Sequence, residues 1–207
     1  MLEIRRLVTG TLRTNCYLIS NKKTKETLIV DPGDDSEYIE SVLLINNLRP
    51  KYIVASHGHF DHILASFSLQ NKYNIPFLIN KKDKFLLDAM QKSAKYFSKL
   101  KTDPKPKINE DLGQMKTIKV GGDVLDIIKT PGHTPGSVCL YNKSSNFLIV
   151  GDLLFEGSKV GRYDHKYSSR EELSKSIKKI KKFPIKTVVY PGHGNTFLLA
   201  SISPLNI

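Results

Sequence analysis

The stretch His57-Gly58-His59-Phe60-Asp61-His62 places three of the six histidines of the chain and one aspartate within six positions. Imidazole nitrogens and carboxylate oxygens are the ligands that zinc and similar divalent ions select in proteins. The preceding residues 52–56 (YIVAS) are typical of a buried strand, and residues 63–73 have the apolar pattern of a helix. The stretch therefore predicts a metal site in a loop between a strand and a helix, where α/β sheets usually carry their ligands.

Three further ligand candidates lie at the ends of predicted strands, each beside glycine or proline. They are His133 in TPGHTPG (130–136), Asp152 in VGD (150–152) and His193 in YPGHG (190–194). Glycine beside a ligand lets the backbone and an ion approach closely, because no Cβ atom intervenes. With the four candidates of the first stretch, the set exceeds the needs of one tetrahedral ion. It suits two ions bridged by a carboxylate and a water.

Two titratable residues near these motifs are expected to have other roles. His165 is the histidine left over once the other five are assigned, and we expect an ordinary surface residue there. Asp31 stands before Pro32-Gly33, and we expect it to end a strand and to accept backbone hydrogen bonds.

Length and composition bound the class of protein. The 207 residues, 40% of them hydrophobic, predict a single domain over residues 1–207 with a substantial core. No stretch approaches the roughly 18 apolar residues of a membrane span, and the N-terminus lacks the apolar segment of a secretory signal. Cys16 and Cys139 lie in strand-like runs and are expected to be buried free thiols. Together these features predict a cytoplasmic protein.

The formal net charge of +12 is compatible with a polyanionic partner. The lysines are spread along the chain, however, and several form the polar face of a predicted amphipathic helix at 170–183. No aromatic-interleaved RNA motif and no Cys₂His₂ finger accompanies the charge. The sequence therefore favours a small-molecule substrate over nucleic acid and predicts no membrane partner. It leaves the oligomeric state open.

Strands and helices are predicted to alternate in two loosely similar halves. Strands are expected at 4–8, 15–20, 27–31, 52–56, 77–80, 115–120, 124–129, 137–141, 147–150 and 187–190. Helices are expected from 35 or 36 to about 48, and at 63–73, 83–100 and 170–183. The prolines of 102–107 oppose regular structure, and we expect 102–111 to be a mobile surface connection. Two sheets packed face to face with helices outside would bury these elements.

The pattern His-x-His-x-Asp-His, followed by His133, Asp152 and His193 at these separations, resembles the metallo-β-lactamase superfamily of αββα hydrolases. The resemblance covers almost the whole chain and implies an α/β fold, a four-layer αββα sandwich of two mixed sheets. It also implies two divalent metal ions, with zinc as the expected metal and iron or manganese as alternatives. The implied ligands of site one are His57, His59 and His133. Those of site two are Asp61, His62 and His193, with Asp152 bridging both ions.

Shorter motifs are similar to the short glyoxalase II-like, or hydroxyacylglutathione hydrolase-like, branch. They are Asn15-Cys16-Tyr17, Asp31-Pro32-Gly33, TPGHTPGS at 130–137 and Gly161-Arg162-Tyr163-Asp164. Full-length glyoxalase II has a C-terminal helical domain that helps to hold glutathione, whereas 207 − 193 = 14 residues follow His193 here. Short relatives usually have a Thr-rich turn, a Glu and an Asn-Pro where this chain has NTFLLA at 195–200. We therefore expect weak glutathione recognition.

The leading hypothesis is a dinuclear metal hydrolase of thioesters. His57, His59, His133 and Asp152 would hold the ions at the reacting carbonyl, and Asp61 would orient the attacking water. Arg162 and Tyr163 are the candidate substrate-binding residues, although Arg162 could instead pair with Asp164 or clamp a carbonyl.

Several alternatives stay open at this stage. They are a lactonase, a phosphodiesterase or ribonuclease of the same fold, a persulfide dioxygenase with a single iron, and a non-catalytic metal-stabilised module. The secreted zinc β-lactamases of the commonest class have Cys at the position of Asp152 and carry signal peptides. Both differences argue against antibiotic hydrolysis as the main role.

Overall fold

Two six-stranded mixed sheets face each other in the computed structural model, which describes residues 1–99 and 102–202. The first sheet contains, in both chain and spatial order, β1 (Leu2–Thr9), β2 (Thr14–Asn21), β3 (Glu26–Val30), β4 (Arg49–Val54), β5 (Phe77–Ile79) and β6 (Ile108–Asp111). Strands β1 to β3 pair antiparallel, and β3 to β6 pair parallel. The parallel part of this sheet leads into the loop that carries the first histidines.

The second sheet is mostly antiparallel. It contains β7 (Thr117–Val120), β8 (Asp123–Lys129), β9 (Val138–Asn142), β10 (Phe147–Gly151), β13 (Val188–Pro191) and β14 (Phe197–Leu198). Their spatial order is β14-β13-β10-β9-β8-β7, and β10 with β13 is the parallel pair. A small ribbon of β11 (Leu154–Phe155) and β12 (Lys159–Val160) follows β10. This ribbon lies beside the cluster described below.

Helices cover the outer face of each sheet. The first sheet packs against α1 (Ser36–Ile45), α2 (Ser66–Tyr73), α3 (Lys84–Asp88) and α4 (Met90–Ser98), and the second packs against α5 (Arg170–Ile180). The layers are therefore helix, sheet, sheet and helix, which confirms the αββα sandwich predicted from the sequence.

The buried strands explain why the sequence has apolar runs without alternation. In β2, Tyr17 and Ile19 point into the core between the two sheets, whereas Cys16 and Leu18 point into the core beneath the helices. Successive side chains of a strand face opposite sides. A strand covered on both faces therefore needs apolar residues at every position.

The predicted helix over 83–100 is two helices. Helix α3 ends at Asp88, Ala89 adopts φ −90° and ψ 0°, and α4 starts at Met90. The break turns Met90 and Ala94 into the core beneath the first sheet. The single helix is predicted from the apolar pattern of the whole segment, and this pattern contains no signal for a break at Ala89. Residue 100, the predicted end of the helix, lies outside the described residues.

The prediction of a mobile connection over 102–111 is wrong for its last four residues. Ile108–Asp111 form β6, which pairs parallel with β5 at the edge of the first sheet. Asn109 Oδ1 also accepts a hydrogen bond from the backbone N–H of Phe77 at 2.9 Å. Pro104 and Pro106 precede this strand, so the backbone donors that a proline would remove are still present in it.

Other local predictions are confirmed. The hairpin of β7 and β8 turns at Gly121 and Gly122, whose φ angles of +54° and +88° favour glycine. In α5 the Ser169 hydroxyl accepts a hydrogen bond from the Glu172 N–H at 3.2 Å, an N-cap that satisfies one free donor of the first turn. Leu173, Ile177 and Ile180 form the buried face of α5, but the helix ends at Ile180, three residues before the predicted end, and Phe183 is half-buried beyond it.

Candidate metal centre

The seven predicted ligands meet at one edge of the sandwich, because each follows the end of a strand. His57, His59, Asp61 and His62 come after β4, with Phe60–His62 as a single 3₁₀ turn before α2. His133, Asp152 and His193 follow β8, β10 and β13. The loops of the two sheets are tied together by hydrogen bonds such as Asn15 N–H to the Gly192 carbonyl, 2.7 Å. The fold therefore brings residues from both sheets to one point.

Three imidazoles form the first group. His59 Nδ1 lies 3.0 Å from His57 Nε2 and 3.0 Å from His133 Nε2. The opposite nitrogens have partners of their own: His57 Nδ1 meets the Ser56 hydroxyl at 3.0 Å, and His133 Nδ1 donates to the Arg162 carbonyl at 2.8 Å. These outer contacts orient each ring so that one nitrogen faces the common centre, which is how metal-binding histidines are held.

Carboxylates and imidazoles form the second group. His62 Nε2 lies 3.6 Å from Asp61 Oδ2 and 3.5 Å from Asp152 Oδ1. His193 Nε2 lies 3.3 Å from Asp61 Oδ2 and 3.7 Å from Asp152 Oδ2. The Thr14 hydroxyl donates to Asp61 Oδ2 at 3.2 Å. Asp152 Oδ2 also lies 3.8 Å from His133 Nε2, so the carboxylate of Asp152 reaches both groups.

Buried atoms without partners show that this donor set fits metal ions. His62 Nε2 and Asp152 Oδ1 are buried and make no hydrogen bond within the described part of the chain. A buried polar atom left unpaired costs free energy. These seven side chains contain three groups of three residues, and within each group the ligand atoms lie within 4.8 Å of one another. Cations between them would satisfy these atoms, and the mixed nitrogen and oxygen donors suit a dinuclear site of zinc, iron or manganese.

Burial and charge set different protonation preferences in the two groups. Burial, and then the charge of the His133 ring, lower the pKa of His59 to about 2, so its imidazole is neutral and ready to bind a cation. At His62 burial acts in the same direction, but the carboxylates of Asp61 and Asp152 outweigh it and raise the pKa to about 10. The two carboxylates of the second group therefore favour a positive charge beside them, whether a proton on His62 or a metal ion.

Asp31 lies directly behind the second group. It is fully buried, and it accepts hydrogen bonds from the Ser56 N–H at 2.6 Å and the Ser56 hydroxyl at 2.7 Å. Its Oδ2 also lies 3.1 Å from His62 Nδ1. The expected backbone hydrogen bond is present, and the sequence did not reveal the contact with His62. Asp31 thereby fixes the ring whose other nitrogen faces the ligand cluster.

Asp83 connects the two histidine loops and carried no signal in the sequence. It is buried and accepts hydrogen bonds from the Gly58 N–H at 2.9 Å, the Thr134 hydroxyl at 2.6 Å and the Gly136 N–H at 2.7 Å. Gly58 belongs to the loop of His57 and His59, and Gly136 to the loop of His133. One carboxylate thus holds the two loops of the first group in register.

Gly192 lies against the side chains of two ligand candidates. A Cβ atom at this position would lie 2.2 Å from Asp152 Oδ1 and 2.7 Å from His62 Cε1. Any larger residue would displace two of the seven ligand candidates, so the position before His193 requires glycine for steric reasons.

An open pocket of about 480 Å³ leads to the cluster. Four ligand candidates, His59, Asp61, His133 and Asp152, form part of its lining. Arg162 also lines it, but Nε and Nη2 of its guanidinium donate to Asp164, at 3.0 and 2.9 Å. Tyr163 is partly exposed and does not line this pocket. Of the two predicted substrate residues, the structure brings only Arg162 to the pocket.

His165 is not the ordinary surface residue that we expected. It is half-buried and lines the pocket, with its ring centroid 5.6 Å from that of His59. It stacks on Tyr167 at 5.1 Å, and the Tyr167 hydroxyl lies 2.8 Å from His59 Nε2. Tyr167 was missed because one tyrosine in a polar loop carries no periodicity or spacing signal. The loop between β12 and α5 therefore places the rings of His165 and Tyr167 against His59 of the first group.

A four-layer αββα sandwich with this cluster at one edge matches one known superfamily of metal-dependent hydrolases. The chain belongs to the metallo-beta-lactamase superfamily, since the model of that family matches residues 9–193.

Related sequences span nearly the full length of the chain. A protein of Aquifex aeolicus is 36% identical over 191 residues, covering 92% of this chain and 89% of its own length. A probable metallo-hydrolase of Bacillus subtilis, YqgX, is 33% identical over 192 residues, with coverage of 92% and 89%. The hydroxyacylglutathione hydrolase GloC of Haemophilus influenzae is 30% identical over 187 residues, with coverage of 87% and 85%.

Solved structures match over a similar range. The B3 metallo-beta-lactamase BLEG-1 superimposes with a TM-score of 0.89 at 30% identity and covers 96% of this chain and 95% of its own. TTHA1623, in a di-iron-bound form, superimposes with a TM-score of 0.84 at 29% identity, with coverage of 95% of both chains.

None of the helices in residues 1–99 and 102–202 has the length and apolar character to cross a bilayer.

Proposed function

We propose that this protein is a dinuclear metal-dependent hydrolase that acts on thioesters. The observation that carries the proposal is the position of Asp152, whose carboxylate reaches both a group of three imidazoles and a group of Asp61, His62 and His193. A protein with one ion needs only one of these groups. Two groups sharing one carboxylate support a pair of ions that act together on one substrate.

The residues divide into two sets of ligands. His57, His59 and His133 would hold one ion, Asp61, His62 and His193 the other, and Asp152 both. Two divalent ions bound there would lower the pKa of a water toward neutrality and polarise a substrate carbonyl. Zinc is the metal that we propose first, and the di-iron form of TTHA1623 makes iron the first alternative to test.

Other parts of the chain would orient the reactants. The Asp61 carboxylate, held by the Thr14 hydroxyl, lies at the pocket floor, where it can accept a hydrogen bond from the attacking water. In the hydrolysis, water oxygen joins the acyl carbon, the C–S bond breaks, and the sulfur leaves as a thiolate that takes up a proton. No side-chain nucleophile is required, and the buried thiols of Cys16 and Cys139 lie outside the pocket.

Thioesters are proposed over other substrates because of the relative GloC, whose name describes a hydrolase of hydroxyacylglutathione. β-Lactam hydrolysis is a second candidate because BLEG-1, a B3 metallo-beta-lactamase, has the same fold at 30% identity. Both reactions are attacks of water on a polarised carbonyl, so the metal cluster alone does not choose between them.

Metal-quantified protein assayed on a substrate panel tests the proposal. The panel contains thioesters, lactones, phosphodiesters, β-lactams and a persulfide with oxygen, and the protein is reconstituted separately with zinc, iron and manganese. We expect two ions per chain and thioesters to have the highest kcat/KM. One iron per chain with oxygen consumption would instead identify a persulfide dioxygenase. A higher kcat/KM on β-lactams or phosphodiesters would reassign the substrate and leave the metal cluster intact.

A further inference from the structure

The walls of the pocket above the ligand cluster are apolar. Apart from the four ligand candidates, most of the lining side chains are hydrocarbon or aromatic. The apolar lining residues are Leu12, Phe60, Leu86, Phe97, Phe155 and Val160. They come from five separate parts of the chain, so the apolar lining surrounds the ligands on several sides.

Two of these aromatic rings form a built surface. Phe60 is almost fully buried, and its ring stacks on that of Phe97 with centroids 6.0 Å apart and an interplanar angle of 5°. Phe97 also meets the ring of Tyr96 at 4.9 Å but is 64% exposed, so much of its surface remains accessible to a ligand. Phe155, another lining residue, approaches the ring of His193 at 6.3 Å. A substrate whose carbonyl reaches the ligands would therefore lie beside several aromatic side chains.

The same pocket offers little to a charged substrate. Among the described residues that line it, Arg162 is the only lysine or arginine, and Asp164 already occupies its guanidinium with two hydrogen bonds. Glutathione carries two carboxylates and one ammonium group. Asp164 already balances the charge of Arg162, and the guanidinium is exposed to solvent, so a carboxylate of glutathione would gain little free energy there. Charge complementarity therefore disfavours the glutathione part of the substrate.

We infer that the pocket selects thioesters with an apolar, uncharged arm, aliphatic or aromatic, rather than the charged peptide of glutathione. This inference rests on the proposed thioester hydrolysis and specifies its substrate class. Each methylene that moves from water into an apolar pocket favours binding about fourfold. Transition-state binding grows with the arm in the same way, so the gain is expected in kcat/KM.

Two series of thioesters test this inference. One lengthens the acyl group from acetyl to hexanoyl on the neutral thiol N-acetylcysteamine, and the other lengthens the thiol at a constant acetyl group. We expect kcat/KM to rise by about threefold to fourfold per methylene in at least one series. Replacing N-acetylcysteamine by glutathione at a constant acyl group should change kcat/KM by less than about tenfold.

Variants of the pocket wall identify the surface responsible. Phe97→Ala should reduce kcat/KM about tenfold or more on the longest substrate and about twofold or less on the shortest. Tyr38→Ala is the matched control, because Tyr38 is an exposed aromatic residue of α1 outside the pocket. Circular dichroism and metal content of both variants confirm that fold and ligands are unchanged.

A binding measurement separates this inference from the proposed function. Hexanoate and phenylacetate, compared with acetate, are titrated calorimetrically into the metal-loaded protein and into Phe97→Ala. If the wild type binds hexanoate and phenylacetate more tightly than acetate and Phe97→Ala does not, the apolar pocket is supported even if no thioester is cleaved. Equal binding of all three acids, or a glutathione thioester preferred by a hundredfold or more, overturns the inference while thioester hydrolysis stands.

Discussion

The Tyr167 hydroxyl lies 2.8 Å from His59 Nε2, on the side of the ring opposite to the nitrogen that faces His57 and His133. If His59 binds an ion through Nδ1, Nε2 carries the proton and donates it to the tyrosine oxygen. Burial raises the pKa of Tyr167 to about 12, so the phenol is neutral at pH 7. The tyrosine thus fixes the tautomer and the orientation of one ligand.

Tyr167→Phe should therefore weaken the first ion by about tenfold to a hundredfold, since partners of metal-binding histidines typically contribute that much. The phenylalanine ring can still stack on His165 and contact Phe85, so the fold should be unaffected. Competition with a chromophoric chelator measures the affinity, and the visible spectrum of the cobalt form reports the geometry. Tyr38→Phe serves as the control. An unchanged affinity and spectrum would assign Tyr167 to the pocket wall alone.

Asp152→Ala should release one or both ions and lower kcat by about a thousandfold or more, because this carboxylate reaches both ligand groups. Elemental analysis and kinetics measure the two effects. Asp126→Ala, on an exposed position of β8, is the control. His165→Ala is unsuitable as a control because His165 lines the pocket. Two ions per chain with an unchanged rate in Asp152→Ala would refute the seven-ligand assignment.

Asp31→Asn should weaken the second ion and spare the first. An amide at this position offers a single acceptor oxygen to Ser56 and places an N–H group toward His62 Nδ1, so the ring loses its fixed orientation. We expect about a tenfold to hundredfold loss in affinity for one of the two ions and no change for the other, as measured by calorimetry. Asp126→Asn should leave both affinities unchanged. Equal weakening of both affinities would show that Asp31 supports the whole cluster.

Asp83→Ala should destabilise the fold itself. The substitution leaves the N–H groups of Gly58 and Gly136 without their buried acceptor, whereas the Thr134 hydroxyl can still donate to Ser137 Oγ at 2.7 Å. Each unpaired buried donor costs about 1–3 kcal/mol, so we expect a loss of about 2 kcal/mol or more in the free energy of unfolding. Urea denaturation of the metal-free protein measures it without a contribution from ions. A loss within about 0.5 kcal/mol would mean that water replaces the carboxylate.

Cys16 and Cys139 should be unreactive in the folded protein. Burial raises the pKa of Cys139 to about 12 and also raises that of Cys16, so the reactive thiolate is about one part in ten thousand at pH 8 for Cys139. Titration with a thiol reagent should detect no thiol in the native state and both in denaturant. Rapid labelling of the native protein would contradict the buried positions. The cytoplasmic location expected from these thiols stays a prediction.

The sequence by itself determined the sandwich, because ligand spacing and apolar periodicity are local properties. His57, His59, Asp61 and His62 lie within six positions, and the 3₁₀ turn of this short loop keeps them together in space. His133, Asp152 and His193 are each tied to a strand end by an adjacent glycine. Such signals can be recognised in the sequence without the structure, so the ligand candidates and the four layers could be predicted.

Only the tertiary structure decided what surrounds these ligands. Asp83, Tyr167 and Phe97 act through residues distant in sequence, and a single aspartate, tyrosine or phenylalanine has no pattern that marks its partner. The break at Ala89 and the pairing of β6 with β5 likewise depend on packing against the first sheet. The pair of Arg162 and Asp164, two positions apart, was one of two alternatives that the sequence left open, and the structure contains it. The proposed substrate preference depends on contacts between residues that are distant in sequence. Local sequence patterns do not reveal such contacts.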